Sequence, residues 1–313
     1  MMIPLSEAAA RLQQGDVVAI PTETVYGLAA CLNCESAIQK IFTLKNRPQD
    51  NPLIVHVAHE SDLPNLVREI PASFEKIKKF WPGPLTVIFK ANADAVSTTV
   101  RAGLPTVGVR IPNHPLTLEL LQLTGPLVAP SANVSGRPSA TCAEHVTTDF
   151  GDSVAVLDGG VCAKGVESTI IALAEDHWEL LRRGAIAEDA LITALGSKPR
   201  ATIVGEKPRS PGQKYRHYAP RARLRLCLSA AELRQQEEGG DFDAVLGFED
   251  TTTALKKISL GHRNDHSENL KRLYQKLREL DECGFENALV DVDFDVTGLG
   301  ETLAERLQKA ASK

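Results

Sequence analysis

The sequence predicts an α/β protein in which a large twisted mixed sheet with flanking helices is followed by a small Rossmann-like α/β domain. Three observations carry this. The chain has 313 residues, more than one compact domain usually holds. Its first two-thirds alternates short β-rich runs with amphipathic helical runs but shows no regular βαβ beat, the pattern of a mixed sheet covered by helices. Between Gly196 and Pro220 that pattern gives way to Gly, Pro, Lys, Arg and Tyr, the chemistry of a linker between packed units. The expected division is a large domain at 1–196, a linker at 197–220 and a smaller α/β domain at 221–313.

Element by element, Ser6 is placed to cap a short helix that Gly15 stops, and the β-branched run at 17–20 reads as a buried strand. A polar loop, Pro21 to Leu28, follows it. The helix expected from about Ser36 to Lys45 has Ile38, Ile41 and Phe42 on one face. Residues 53–57 read as a strand, then helical material runs to near Lys79 and breaks at Trp81-Pro82-Gly83-Pro84. Strands dominate afterwards, at 85–90, 107–111, 127–129, 154–157, 168–173 and 178–181, with helices at 116–123 and 187–195. Beyond the linker, strands at 224–228, 244–248 and 288–294 alternate with helices that include 268–283 and 299–309. Leu270, Leu273, Leu277 and Leu280 give the first of these helices an apolar stripe.

Hydrophobic residues make up 43% and charged residues 24%, an ordinary globular composition. The net charge of −5 argues against a surface dedicated to nucleic acid. The opening residues have no basic n-region followed by an apolar core, and no apolar run is long enough to span a bilayer, so a cytoplasmic protein without membrane contact is expected. Of six cysteines only Cys31 and Cys34 have C-x-x-C spacing, and no second pair completes a zinc set, so reduced thiols are expected. Walker A and G-x-G-x-x-G motifs are both missing, so a nucleotide would have to be held another way.

Five strand or helix ends carry polar chemistry. Thr22, Glu23 and Thr24 follow the first buried strand, a place where α/β sheets gather ligands, although threonines there also serve the local backbone. Lys45 and Arg47 suit a polyphosphate, yet Lys45 alone is equally explained by the helix dipole. Arg110 ends a strand and wants a carboxylate or phosphate, from a ligand or from an internal acid. Ser131, Asn133 and Ser135 sit in a turn that could cradle an anion or be an ordinary Asn/Ser/Gly turn, with Thr141 beyond. Ser168 opens one strand and Arg182 closes its neighbour. Taken together these ends describe a cleft for an anion and a hydroxylated or zwitterionic ligand.

The segments PTETVYGL, KNRPQDNPL, WPGPLTV, VGVRIPNHP, APSANVSGRPSAT, ESTII and LLRRGAI resemble, in order, the successive motifs of the YrdC-type threonylcarbamoyl-adenylate synthases. SPGQKYRHYAP in the linker resembles the signature of that family's long two-domain form. The likeness spans most of 5–220; beyond it only length, αβ order and the closing LAERL stretch are similar. It implies a YrdC-like fold around a basic pocket, and ATP-dependent synthesis of L-threonylcarbamoyladenylate from L-threonine and bicarbonate or CO2 with release of pyrophosphate.

Carried over by motif, Thr24, His56, Arg110, Ser131 and Ser168 would hold threonine. Arg47, Asn51, Thr106, Asn133, Thr141, Arg182 and Tyr218, rather than Tyr215, would hold ATP. Lys45 and Arg47 would be the catalytic cations, and the linker a lid. Mg2+ would arrive with ATP, with no protein cage for it and no organic cofactor. The product would pass to a tRNA threonylcarbamoyl-transferase complex, and a weak direct tRNA contact is compatible with this. Glu23 stands where the family often has Asp, and Gln213 where it often has Met. Two other readings compete: a carbamoyl-adenylate enzyme of hydrogenase maturation, which would need further modules, and an RNA-binding module, which the acidic net charge opposes.

Overall fold

A computed structural model of the chain describes residues 1–201, 208–212 and 217–312. Tyr215 and its neighbours Gln213, Lys214 and Arg216 lie outside the described residues. The first part contains, in chain order, β1 (Met2–Ile3), α1 (Leu5–Gln13), β2 (Val18–Ile20), β3 (Gly27–Cys31), α2 (Glu35–Lys45), β4 (Ile54–His56), α3 (Leu63–Leu66), β5 (Leu85–Lys90), β6 (Thr106–Arg110), α4 (Pro115–Thr124), β7 (Leu127–Val128), α5 (Ala143–Phe150), β8 (Ala155–Leu157), β9 (Thr169–Leu173), β10 (Trp178–Arg182) and α6 (Glu188–Leu195). Its strands form one mixed sheet in the order β1-β8-β2-β3-β7-β4-β6-β5-β9-β10.

Alternation along the strands explains why helices cover both faces. On β2, Ala19 joins Val17 in one core while Val18 and Ile20 join another. The first core takes Ile38, Ile41 and Phe42 of α2, Val146 and Phe150 of α5, and Leu191 and Leu195 of α6. The second takes Ala8 and Leu12 of α1 and Leu120 and Leu121 of α4. Each such Val, Leu, Ile or Phe side chain contributes about 1.5–3 kcal/mol by burial, and Ile41→Ala, at a fully buried position, would cost about 2–5 kcal/mol.

The second part contains β11 (Arg223–Cys227), α7 (Ala230–Gly239), β12 (Ala244–Gly247), β13 (Lys256–Ser259), α8 (His266–Glu282), β14 (Asn287–Asp291) and α9 (Leu299–Ala311). Its sheet is parallel throughout, in the order β11-β14-β12-β13. Leu233 of α7 packs on one face, and the leucine stripe of α8 joins Leu303 and Leu307 of α9 on the other. This second core also takes in Val25, Val166 and Tyr218, residues that belong to the large domain and the linker.

Several local expectations are corrected. Ser6 does not cap α1, which starts at Leu5 after Pro4 and has no side-chain cap. The helical material to near Lys79 is broken into the four-residue α3, with Pro64 in its first turn, and short 3-10 turns, one of them starting after Pro71. β3 and β13 were not anticipated. Gly-Leu-Ala-Ala-Cys has little intrinsic strand preference and is held by β2 on one side and β7 on the other. β13 is an edge strand in which Ile258 is the one buried residue.

Candidate active site

The cavity lies over one face of the large sheet. Ile54 and His56, two residues apart on β4 and therefore on one face, both line it, and His56 is paired in register with Arg110 on the parallel strand β6. Gly108, two residues before Arg110, keeps that face open: a Cβ there would sit 3.1 Å from Ile88. Arg110 is buried, its Nε donating to Gly83 O at 3.2 Å and its Nη1 to Thr24 Oγ1 at 2.9 Å. Its Nη2 is ion-paired with Glu23 Oε2 at 2.6 Å without hydrogen-bond alignment, so a ligand carboxylate at this guanidinium would share it with Glu23. Burial, with the Arg110 charge second, pulls the His56 pKa down to about 3 and keeps the ring neutral, and its Nδ1 has no partner among the described residues.

The next wall comes from the end of α2. Asn46 closes that helix in the left-handed conformation, φ 50° and ψ 42°, which asparagine tolerates better than most residues. The reversal lets Lys45 and Arg47 both reach the cavity. Lys45 is buried and its Nζ donates to Ser131 O and Asn133 O, 2.5 Å each, tying the helix end to the Ser131–Asn133 turn. The same turn is pinned by Ser135 N donating to Lys45 O and Ala132 N to Tyr26 O. Desolvation, then the neighbouring Arg47, pulls the Lys45 pKa well below its ordinary value; an anion beside it would reverse that. Arg47 donates to Pro52 O at 2.8 Å and is drawn to about 10 by burial and by Arg182. Asn133 donates its amide to Val134 O and Arg137 O, leaving Oδ1 without a partner among the described residues.

The third wall joins β9, β10 and the linker. Arg182 Nη2 donates to Ser168 O at 2.8 Å and Ser168 Oγ at 3.0 Å, and Ser168 Oγ is 2.8 Å from Thr86 Oγ1. Burial lowers the Arg182 pKa. Pro211, Gly212, His217 and Tyr218 of the linker close this side, and Ala219 N donates to Gly136 O at 2.8 Å, fastening the linker to the opposite turn.

The cavity therefore brings together Thr24, Lys45, Arg47, His56, Arg110, Ser131, Asn133, Ser168, Arg182 and Tyr218. Asn51 lines an adjoining depression that shares Ser135, Gly136 and His217 with it, and its Oδ1 has no partner among the described residues. Thr106 and Thr141 line neither. Thr106 is four residues before Arg110 on β6, about 13 Å along an extended strand. Thr141 turns its hydroxyl to His145 Nδ1 at 3.3 Å. The motif reading gave no role to Glu23, which backs Arg110, to Glu167, which lines the cavity beside Ser139, or to His217. Only their closeness to named motif residues marked them in the sequence.

The family known as Sua5/YciO/YrdC, described as telomere recombination, matches residues 10–184, and the threonylcarbamoyl-AMP synthase C-terminal domain matches 185–312. The boundary between them precedes α6, whose leucines nevertheless pack in the large core. A threonylcarbamoyl-AMP synthase of Bacillus subtilis is 41% identical over 98% of this chain and 92% of its own length. One from Pyrococcus abyssi is 37% identical over 97% of this chain and 93% of its own. The crystal structure of P. abyssi Sua5 complexed with L-threonine superposes with a TM-score of 0.90 at 35% identity, covering 99% of this chain and 97% of that one. With both domain models matched end to end and these relatives aligned over nearly their whole length, the chain belongs to the Sua5/YciO/YrdC family in its two-domain form.

Proposed function

We propose that this chain synthesises L-threonylcarbamoyladenylate from L-threonine, bicarbonate or CO2, and ATP, releasing pyrophosphate. The observation that carries the reading is the convergence of four buried or half-buried basic side chains, Lys45, Arg47, Arg110 and Arg182, on one cavity that also holds His56 Nδ1 and Asn133 Oδ1, atoms without a partner among the described residues. Buried polar groups without a protein partner are costly, and a polar ligand offsets that cost. The names of the relatives and the threonine bound to the P. abyssi protein supply the substrate class.

In this reading Arg110 Nη2 takes the threonine carboxylate, with Thr24, His56, Ser131 and Ser168 around the rest of the amino acid. The amine nitrogen bonds to the carbon of CO2 and loses a proton to give a carbamate. A carbamate oxygen then bonds to the α-phosphorus as the bond to the β-phosphate oxygen breaks and pyrophosphate leaves. No protein nucleophile is needed; the residues position the reactants and face developing charge. Lys45, Arg47 and Arg182 stand toward the phosphates, with Asn51, Asn133 and Tyr218 around the nucleotide, while Thr106 and Thr141 take no part.

Magnesium would come with the ATP and neutralise phosphate charge. The carboxylates at hand do not fit a cage for it, since Glu23 backs Arg110 and Glu167 is bonded to Arg306 and Tyr274, so phosphates and water would hold the ion. The linker would serve as a lid that keeps water from the carbamate and adenylate. The product is an activated acyl adenylate, suited to a tRNA-modifying transferase that acylates adenosine.

The test is pyrophosphate release from ATP by the purified chain, with threonine and bicarbonate omitted in turn. Release that stops on either omission supports the reading. Release indifferent to threonine overturns it, and strong salt-sensitive RNA binding without turnover would favour an RNA-binding module instead.

A further inference from the structure

Side chains of the second domain stand directly behind the cavity wall: Lys309 of α9 donates to Gly212 O at 2.9 Å, and Tyr274 and Arg306 hold two other lining residues. Glu167 lies on the cavity wall, and its Oε1 accepts from Ser139 Oγ at 2.6 Å. Its Oε2 faces the other domain, accepting from Tyr274 OH of α8 at 2.8 Å and from Arg306 Nε of α9 at 3.2 Å. Arg306 is fully buried and also donates through Nη2 to Arg183 O at 2.6 Å, next to Arg182.

The same two residues hold Tyr218. Its ring stacks on Tyr274, with centroids 5.2 Å apart and planes 21° apart, and the Arg306 guanidinium lies 4.9 Å from its centroid on the chain's second domain. Tyr218 has φ 65°, a left-handed conformation that a bulky residue adopts only when its surroundings impose it. The stack and the cation supply that constraint and leave the tyrosine lining the cavity.

We propose that Tyr274 and Arg306 of the second domain are positioning residues for the nucleotide half of the site, holding the Glu167 carboxylate back from Arg182 and the Tyr218 ring against the cavity. This rests on reading the cavity as an ATP site. Glu167 is an anion on the wall of a pocket for polyphosphate. Burial alone would raise its pKa, but Arg306, then Arg182, Ser139 and Tyr274, hold it below the ordinary carboxylate range. Deprived of its partners on α8 and α9, the carboxylate would turn to Arg182 and occupy the cation meant for phosphate.

The experiment uses the full chain and equilibrium binding of a non-hydrolysable ATP analogue, with threonine binding measured in parallel. Tyr274→Phe keeps the ring stack and removes only the donor to Glu167. It is expected to weaken analogue binding about 5- to 10-fold, the net worth of one ordinary hydrogen bond because the effect reaches the nucleotide only through Glu167, while threonine affinity stays within about twofold. In a Glu167→Gln background the same change is expected to cost less than about twofold, because the charge it restrains is gone. Arg306→Lys is expected to behave as Tyr274→Phe does. If that variant does not fold, the Tyr274→Phe pair still decides the matter. Wild-type analogue affinity in Tyr274→Phe, or an equal loss in both backgrounds, overturns the inference alone. A wild-type chain that binds no nucleotide overturns the reading of the cavity and the inference with it.

Discussion

The two domains each set an arginine among polar groups beside a sheet, and they complete its surroundings to different degrees. In the small domain Arg263 donates to both Asp250 oxygens at 3.0–3.1 Å and to both Asp291 oxygens at 2.9 and 3.1 Å, and lies over the Phe248 ring. Burial would lower its pKa, but Asp291 and Asp250 outweigh that and raise it. Thr251 closes the arrangement by donating to Asp291 at 2.6 Å. In the large domain Arg110 has one carboxylate, Glu23, without hydrogen-bond alignment, Lys45 and Arg47 lean on carbonyls, and His56 Nδ1 and Asn133 Oδ1 have no partner among the described residues. Electrostatics completed inside the protein stabilise a fold, whereas electrostatics left incomplete in a buried cavity call for a ligand.

The largest expected effect tests the incomplete side. Arg110→Lys retains the charge beside Glu23 but loses the planar fork. Threonine kcat/KM, measured by pyrophosphate release, should fall about 100-fold, the equivalent of a charge-assisted hydrogen bond, while the KM for ATP stays near wild type. An unchanged threonine kcat/KM would remove Arg110 from the amino-acid subsite.

Arg263→Met probes the completed side. It strands Asp291, which is buried, so urea unfolding should show a loss of about 2 kcal/mol, below the value for a fully buried pair because Arg263 is partly exposed. Turnover at 25 °C should not change. A fall in turnover without a fall in stability would show that the second arginine belongs to the site and would break the comparison.

A third difference appears with pH. His56 titrates near 3 in the folded chain against an ordinary 6.5, and His145 near 4, burial being the main cause in both. The unfolded chain therefore takes up the proton first. Stability is full above pH 6.5 and declines as pH falls toward 4, by up to about 1.4 kcal/mol per pH unit for each such histidine. His56→Gln should flatten that acid limb in urea melts at pH 7.5 and 5.0. A limb of unchanged slope would mean that His56 titrates normally and is not sealed in the cavity.

Much of this was legible in the sequence because the chemistry is local. Lys45 and Arg47 flank a helix end, Ser131 and Asn133 share a turn, and each motif keeps its own neighbours, so their placement follows once the strands pair. What was illegible depends on distant partners. Glu23 matters because Arg110 lies across the sheet from it, and Glu167 because α8 and α9 of another domain deliver Tyr274 and Arg306 to it. β3 likewise owes its conformation to the strands on either side, not to its own residues. Strand direction counts too. Thr106 shares a strand and a face with Arg110, but the strand carries it away from the cavity, a distance that no motif records.

The smallest expected effect concerns Thr106 and Thr141. Resemblance assigns Thr106 and Thr141 to the nucleotide, but Thr106 is half-exposed at the far end of β6, and the Thr141 hydroxyl meets His145. Thr106→Ser and Thr141→Ser keep each hydroxyl and remove a methyl, so they do not discriminate. Thr106→Ala and Thr141→Ala do. Each should leave the KM for ATP within about twofold, and Thr141→Ala should cost about 1 kcal/mol in stability, the net worth of one hydrogen bond. A large rise in the KM for ATP with either variant would mean that the loaded enzyme draws that threonine into the site, through a rearrangement larger than a side-chain turn. For Thr106 that would require β6 to shift along its own axis against β4 and β5, breaking the pairing that sets His56 beside Arg110.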